Sequence, residues 1–266
     1  MAFTILIFFK SSCPQAVTQP IVANSFHWQV FSRYHNHVLL GSSNPAAFAD
    51  IKKVSAGFYG ERRYMLSDLG HYIAAITLPL DAGRLGLNAA YFGNSSHNET
   101  RMGLAYARSV GAINLGVQFN YFRFSTSGYG ASTAIDIEAG MVLQLNDQLR
   151  TGLHLYNPAG SRYGRSKEER LPTIFTAGIG YDVSPDFLLA GIVQKMEDHP
   201  ADLQAGVLYS FNKKLWVKAG LSTATESFMI GAGMLLNDFQ LEFNFAYHQL
   251  LGLTPGMLVI YQQKPE

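Results

Sequence analysis

Apolar and polar residues alternate one by one along most of the chain beyond residue 50. Residues 239–248 show this most clearly, with an aromatic residue or leucine at every odd position and a polar or small residue at every even one. Residues 113–121, 135–144 and 202–211 repeat the alternation. A period of two predicts β-strands with one apolar face, because a helix would spread the polar groups around its whole circumference.

Turn residues between the alternating segments divide the region 52–262 into fourteen predicted strands. Each strand has about ten residues, the length that a tilted strand needs to cross a bilayer. The predicted strands begin near Val54, Tyr72, Arg84, Thr100, Ala112, Thr133, Gln148, Pro172, Phe187, Ala201, Lys214, Ser227, Phe239 and Pro255.

The connections between these strands alternate in length. Every second one is a tight turn, as at 81–83, 146–147 and 237–238, whereas most of the others are longer and more polar, as at 156–170. Outer-membrane barrels place short turns on the periplasmic side and longer loops outside. We therefore expect the short turns and, given an even number of strands, both termini to be periplasmic.

The composition indicates which solvent each face meets. Hydrophobic residues make up 48% of the chain and charged residues only 15%, against about 25% charged in soluble domains. No apolar run approaches the roughly 20 residues of a spanning helix. Side chains cannot fill so wide a barrel with hydrocarbon, so the apolar face would meet lipid and the polar face a lumen. The chain is predicted to be an all-β, 14-stranded antiparallel transmembrane outer-membrane β-barrel, and a secreted soluble β-sandwich is the alternative.

The pattern divides the chain into four parts. Residues 1–16 are predicted to be a signal peptide without its basic first region, because Lys10 follows the apolar stretch. Residues 17–51 do not alternate and are rich in aromatic residues, which favours an N-terminal luminal plug over a periplasmic tail. The barrel would span 52–262, and 263–266 would be a short tail.

A motif just before the first strand, Asn44-Pro45-Ala46-Ala47-Phe48-Ala49, resembles the FadL-like outer-membrane barrels. The chain is most similar to the PorV/PorQ group of the Bacteroidetes type IX (Por) secretion system, also at 152–158 and 239–255. The resemblance implies a plug motif at Asn44, Pro45, Ala46 and Ala47, and a place in the outer membrane of a Gram-negative bacterium of the Bacteroidetes. A second Bacteroidetes barrel type, PorP/SprF, also carries an Asn-Pro-Ala motif and stays an alternative.

The PorV/PorQ resemblance implies a non-catalytic accessory subunit of an outer-membrane secretion or assembly complex. Its partners would be outer-membrane lipid, lipopolysaccharide and another protein of that complex. The alternative is FadL-like passive transport of hydrophobic small molecules. That alternative predicts an apolar pocket near the plug and a lateral opening at a kinked strand, with Gly178 and Gly180 as candidate kink sites.

Charged and polar residues on the lumen face form the candidate site. Asp136 and Glu138 on the sixth predicted strand neighbour Arg150 and His154 on the seventh. Such groups can pair, fill the lumen and anchor a plug. The predicted lumen-facing network comprises Arg101, Asp136, Glu138, Arg150, His154, Glu242 and His248.

Other classes of function find no support in the sequence. A net charge of +1 gives no footprint for nucleic acid. The single cysteine, Cys13, excludes a disulfide framework and a cysteine-based zinc site. The motifs Gly-x-Ser-x-Gly, His-Glu-x-x-His and the P-loop are absent. We therefore predict no enzyme activity, no cofactor and no metal.

Overall fold

The computed structural model describes residues 27–163, 169–224 and 227–263. Within these ranges fourteen antiparallel strands form one closed barrel, in which the first strand pairs with the last. The barrel strands are β1 (Ser55–Arg62), β2 (Gly70–Leu80), β3 (Gly83–Gly93), β4 (His97–Val110), β5 (Ile113–Thr126), β6 (Gly130–Gln144), β7 (Leu149–Tyr156), β10 (Ile174–Ser184), β11 (Phe187–Met196), β12 (Asp202–Phe211), β13 (Leu215–Ser222), β14 (Ser227–Leu236), β15 (Phe239–His248) and β16 (Gly252–Gln262).

The predicted fold class is confirmed, and every predicted strand start lies within three residues of the observed one. A sandwich is wrong because this sheet has no edges. The connection after β7 holds a ribbon that was not predicted, β8 (Arg162–Tyr163) paired with β9 (Glu169–Arg170). We call the end of the barrel that carries β8 and β9 the loop end, and the opposite end the turn end.

The two faces of the sheet differ as the alternation predicts. Along β5 the side chains are alternately buried and exposed. Large apolar side chains point outward, with exposed fractions of 55% for Phe119, 70% for Ile135 and 50% for Phe243. Closing the sheet pairs its backbone groups, which lipid requires because it offers no hydrogen bonds. A bilayer would cover these outward-facing apolar side chains with hydrocarbon, whereas in water all of them would be exposed to solvent.

Most of residues 27–51 lie inside the barrel, whereas Arg33 and Tyr34 are exposed. They form three 3₁₀-helices, η1 (His27–Phe31), η2 (Val38–Ser42) and η3 (Pro45–Asp50), which contact strands on different sides of the wall. Their apolar side chains, such as Trp28 and Phe48, pack with inward-facing strand residues into one buried cluster. We call residues 27–51 the luminal segment.

Two further 3₁₀-helices, η4 (Arg63–Met65) and η5 (Ser67–Leu69), connect β1 to β2. Among the residues that the structure describes, no helix is long and apolar enough to span a membrane. The predicted signal at 1–16 lies outside the described residues, as do 17–26 of the predicted plug and most of the tail. Those boundaries stay predictions.

An arginine in the middle of the outer wall tests the assignment of that wall to lipid. Phe243→Arg should lower the free energy of unfolding in lipid vesicles by about 2–4 kcal/mol, because its charge would lie in hydrocarbon. Phe239→Arg, at the turn end of the same strand, should cost about 0–1 kcal/mol. Urea titration of both variants measures the difference, and equal small losses would contradict a lipid-facing wall.

Candidate functional site

The predicted plug motif shapes the luminal segment. Asn44 precedes η3, and its side-chain Oδ1 accepts a hydrogen bond from the backbone N–H of Ala46 at 3.0 Å. Pro45 occupies the first turn of η3, where its missing N–H costs nothing. Ala46 and Ala47 are buried, with exposed fractions of 0% and 3%. The motif thus starts a compact helix that is small enough to fit inside the barrel.

The same motif contacts the wall directly. The Asn44 amide donates a hydrogen bond from Nδ2 to the carbonyl of Leu153 on β7 at 3.2 Å. On β6, a Cβ added to Gly140 would lie 1.9 Å from Asn44 Oδ1. Glycine is therefore required where the segment approaches β6 most closely.

An ion pair joins the end of η3 to the wall. Arg150 on β7 donates to both carboxylate oxygens of Asp50, each at 3.0 Å, and to the carbonyl of Ser32 at 2.6 Å. Asn114 donates to the same carboxylate at 2.8 Å. We predicted Arg150 beside Asp136 and Glu138, but it binds the luminal segment instead. A fork of two parallel hydrogen bonds holds orientation as well as charge.

A second cluster surrounds Glu138, which is fully buried. Its carboxylate accepts from Arg101 Nη1 at 3.1 Å and from Asn120 Nδ2 at 2.7 Å. The Nε2 atom of His154 lies 2.9 Å from its other oxygen. Three strands thus place donors around one carboxylate, as a buried charge requires.

Asp136 belongs to the same cluster. It accepts a hydrogen bond from Asn120 at 2.7 Å and from the Tyr156 hydroxyl at 3.4 Å. A chain of side-chain amides leads to it along the inner wall from β3 to β5, with Asn88 donating to Gln118 at 2.6 Å and Gln118 donating to Asn120 at 2.7 Å. Neutral amides therefore connect the charged cluster to the inner face of β3.

The two remaining predicted residues lie apart from that cluster. Glu242 is fully buried and pairs with Lys218 at 2.5 Å, while Trp216 Nε1 donates to it at 2.7 Å. His248 is half-buried at the end of β15, where its Nδ1 accepts from the backbone N–H groups of Leu250 and Leu251. His248 therefore stabilises a loop rather than joining the predicted network.

His37, in the luminal segment, lies close to the charges of Lys218 and Glu242. Burial lowers the pKa of His37 to about 3, against the smaller opposing effect of Glu242. Burial likewise lowers the pKa of His35. Both imidazoles are therefore neutral at pH 7, and His37 fits the interior as a polar but uncharged group.

A cavity of about 30 Å³ lies between the luminal segment and the loop-end half of the wall. Polar and apolar side chains line it together. The lining residues are Val30, Phe31, Ser43, Asn44, Arg101, His154, Tyr156, Ile174, Thr176, Ile192 and Gln194.

The predicted kink at Gly178 and Gly180 is wrong. The pairing of β10 with β7 and with β11 is continuous from Ile174 to Tyr181. A Cβ at Gly178 would lie 2.1 Å from the Phe31 ring, and one at Gly180 would lie 2.2 Å from the Phe31 carbonyl. These glycines make room for the luminal segment, and along this part of β10 the wall has no lateral opening.

Sequence reasoning missed Asp50 and Ser43. Asp50 is separated from Arg150 by 100 residues, and Ser43 reaches the cavity only because η2 and η3 fold back on each other. The one signal in the sequence is position, since Ser43 and Asp50 flank the motif at 44–49. Taken together, the polar residues of the interior can hold the luminal segment in place and can form hydrogen bonds with a small molecule.

The buried pair at Asp50 should hold the luminal segment. Asp50→Asn should lower the free energy of unfolding by up to about 3–5 kcal/mol, because Arg150 would keep its buried charge without a counterion. Asp147→Asn is the control, since its pair with Arg33 is exposed and should contribute less than about 1 kcal/mol. Urea unfolding measures both variants, and similar losses would contradict a special role for Asp50.

The lowered pKa of His37 predicts acid sensitivity. Below pH 6.5 the unfolded chain takes up a proton at His37 that the folded protein does not accept, so stability should fall as the pH decreases. The slope from this group approaches about 1.4 kcal/mol per pH unit. The unfolding free energy of His37→Asn, measured between pH 7 and pH 4, should fall less steeply than that of the wild type. Parallel curves would contradict the prediction.

No protein-family model and no curated protein matches the sequence. Solved structures do share its architecture. The CymD monoaromatic hydrocarbon channel has a TM-score of 0.60 at 10% identity, over 84% of this chain and 92% of that one. A Pseudomonas aeruginosa FadL homologue reaches 0.58 at 10%, over 85% and 94%. The Pseudomonas putida toluene transporter TodX reaches 0.57 at 9%, over 87% and 95%. The chain therefore has the fold of FadL-like channels.

Proposed function

We propose that the protein is a passive channel for small hydrophobic molecules in the outer membrane of a Gram-negative bacterium. The observation that carries the proposal is the cavity beside the luminal segment, where Val30, Phe31, Ile174 and Ile192 supply an apolar wall. Proteins of the same fold are described as a monoaromatic hydrocarbon channel and a toluene transporter. The proposal includes an orientation in the membrane, with the turn end and both termini on the periplasmic side.

The route through the barrel must involve the luminal segment. The cavity of about 30 Å³ admits only a group of the size of one or two water molecules. Phe31 both lines this cavity and fills the space above Gly178, so its ring occupies the interior between the cavity and the inner face of β10. Passage of a small aromatic molecule therefore requires that Phe31 moves while Asp50 and Arg150 keep the rest of the segment in place.

A second candidate is the PorV/PorQ-like accessory subunit, favoured by the sealed interior. Buried ion pairs at Arg101–Glu138 and Lys218–Glu242, together with the unbroken pairing around β10, suit a barrel that serves as a scaffold. Pull-down from solubilised outer membranes tests this role. Stoichiometric recovery of a second outer-membrane protein would support it, and a solitary monomer would contradict it.

Removing the Phe31 ring should open the channel. We expect Phe31→Ala to increase the uptake of toluene, by several-fold over the wild type, into vesicles that contain the purified protein and carry an outer leaflet of lipopolysaccharide, which slows the passage of toluene through the lipid itself. Phe48→Ala is the matched control. Phe48 is also buried in the luminal segment and packs where a Cβ on Gly86 would lie, but it does not line the cavity. Each substitution should cost about 3–5 kcal/mol of stability.

Gas chromatography of the vesicle contents measures the uptake. An increase with Phe31→Ala but not with Phe48→Ala supports passage beside Phe31. Equal uptake by both variants and by protein-free vesicles would contradict the channel and leave the accessory role as the better account.

A further inference from the structure

Two polar side chains of the cavity have hydrogen-bonding atoms that are not used. Arg101 is 1% exposed, and only its Nη1 is paired, with Glu138. Among the described residues, none accepts a hydrogen bond from Arg101 Nε or Nη2, and none pairs with Ser43 Oγ. Arg101 and Ser43 both line the cavity. Two residues that line one small cavity therefore carry three buried donor atoms without a partner among the described residues.

Such donors are costly to bury alone. A buried donor left without an acceptor loses about 1–3 kcal/mol, and a charged donor loses more. Most buried polar groups in proteins have partners, so each exception needs an explanation. An acceptor that enters the cavity from outside the chain would remove this cost at Arg101.

The local charge indicates that this acceptor is neutral. Arg101 is already paired with Glu138, and Asp136 belongs to the same hydrogen-bonded cluster. A carboxylate ligand would be a third acidic group around a single arginine. A carbonyl, ether or hydroxyl oxygen accepts hydrogen bonds without adding charge.

The other side of the cavity is apolar. Val30 and Phe31 of the luminal segment face Ile174 and Ile192 of the wall across it. We propose that the cavity binds neutral, oxygen-bearing hydrophobic molecules, such as small ketones or phenols. Their oxygen fits the cavity of about 30 Å³ and accepts hydrogen bonds from Arg101 and Ser43, and their hydrocarbon part takes the space that the Phe31 ring leaves when it moves. This inference deepens the proposed function and rests on it for the movement of Phe31.

Equilibrium dialysis of the purified full-length protein in detergent micelles tests the proposal, with protein-free micelles subtracted. The probes are acetophenone, ethylbenzene and benzoate, which differ in an oxygen acceptor and in charge. Acetophenone should bind about tenfold more tightly than ethylbenzene, because its carbonyl accepts hydrogen bonds from a charged donor. Benzoate should bind no more tightly than ethylbenzene.

Variants locate the binding. Arg101→Lys keeps a positive charge near Glu138 but removes Nε and Nη2, and it should abolish the preference for acetophenone. Ser43→Ala should reduce that preference without any change in charge. Ser42→Ala is the matched control, because Ser42 is also buried with an unpaired Oγ but does not line the cavity. It should bind like the wild type.

Three results would overturn the proposal. Equal affinity for acetophenone and ethylbenzene would mean that Arg101 and Ser43 do not recognise an oxygen acceptor. Tightest binding of benzoate would contradict the preference for a neutral ligand. Equal effects of Ser42→Ala and Ser43→Ala would show that binding does not occur in the cavity that Ser43 lines. Binding is measured here without transport, so acetophenone binding together with no toluene uptake would contradict the channel alone.

Discussion

The backbone hydrogen bonds of the sheet are the constraint on which the rest of this structure depends. In lipid an unpaired N–H or C=O group costs several kcal/mol, so the strands must close on themselves. Closure with fourteen strands leaves an interior that the wall's own side chains do not fill. The luminal segment occupies that interior, and its aromatic residues pack where the inward wall is glycine, as Phe31 does at Gly178.

Charge sets the second condition. Carboxylates and cations inside the barrel are out of water, so each needs a partner of opposite charge or several hydrogen bonds. Glu138 collects its donors from three strands, and Asp50 of the luminal segment binds Arg150 of the wall. These pairs hold the segment in one position. Val30 and Phe31, which border the cavity, are held by apolar packing rather than by an ion pair. Movement of Phe31 is therefore compatible with an otherwise sealed interior.

The sequence predicts which charged residues face the interior, but it does not predict which of them contact each other. The alternation predicts Arg101, Glu138 and Glu242 on the inner face, because the face of a residue depends only on its position along a strand, and all three side chains are buried. It did not show that Arg150 pairs with Asp50, nor that His248 forms hydrogen bonds with the backbone of the adjacent loop. Such contacts depend on strand order, on the height of each residue in the barrel and on the path of a segment that has no alternation.

The sequence by itself determined the strands, the two faces and the apolar character of the outer wall, since all three follow from a period of two and from composition. Its Asn-Pro-Ala-Ala motif also marked the segment that begins the interior packing. Only the tertiary structure decided which charges meet, why Gly178 and Gly180 are glycines, and that Arg101 and Ser43 share a cavity. Those features join residues far apart in the chain, and only closure of the barrel around the luminal segment brings them within hydrogen-bonding distance.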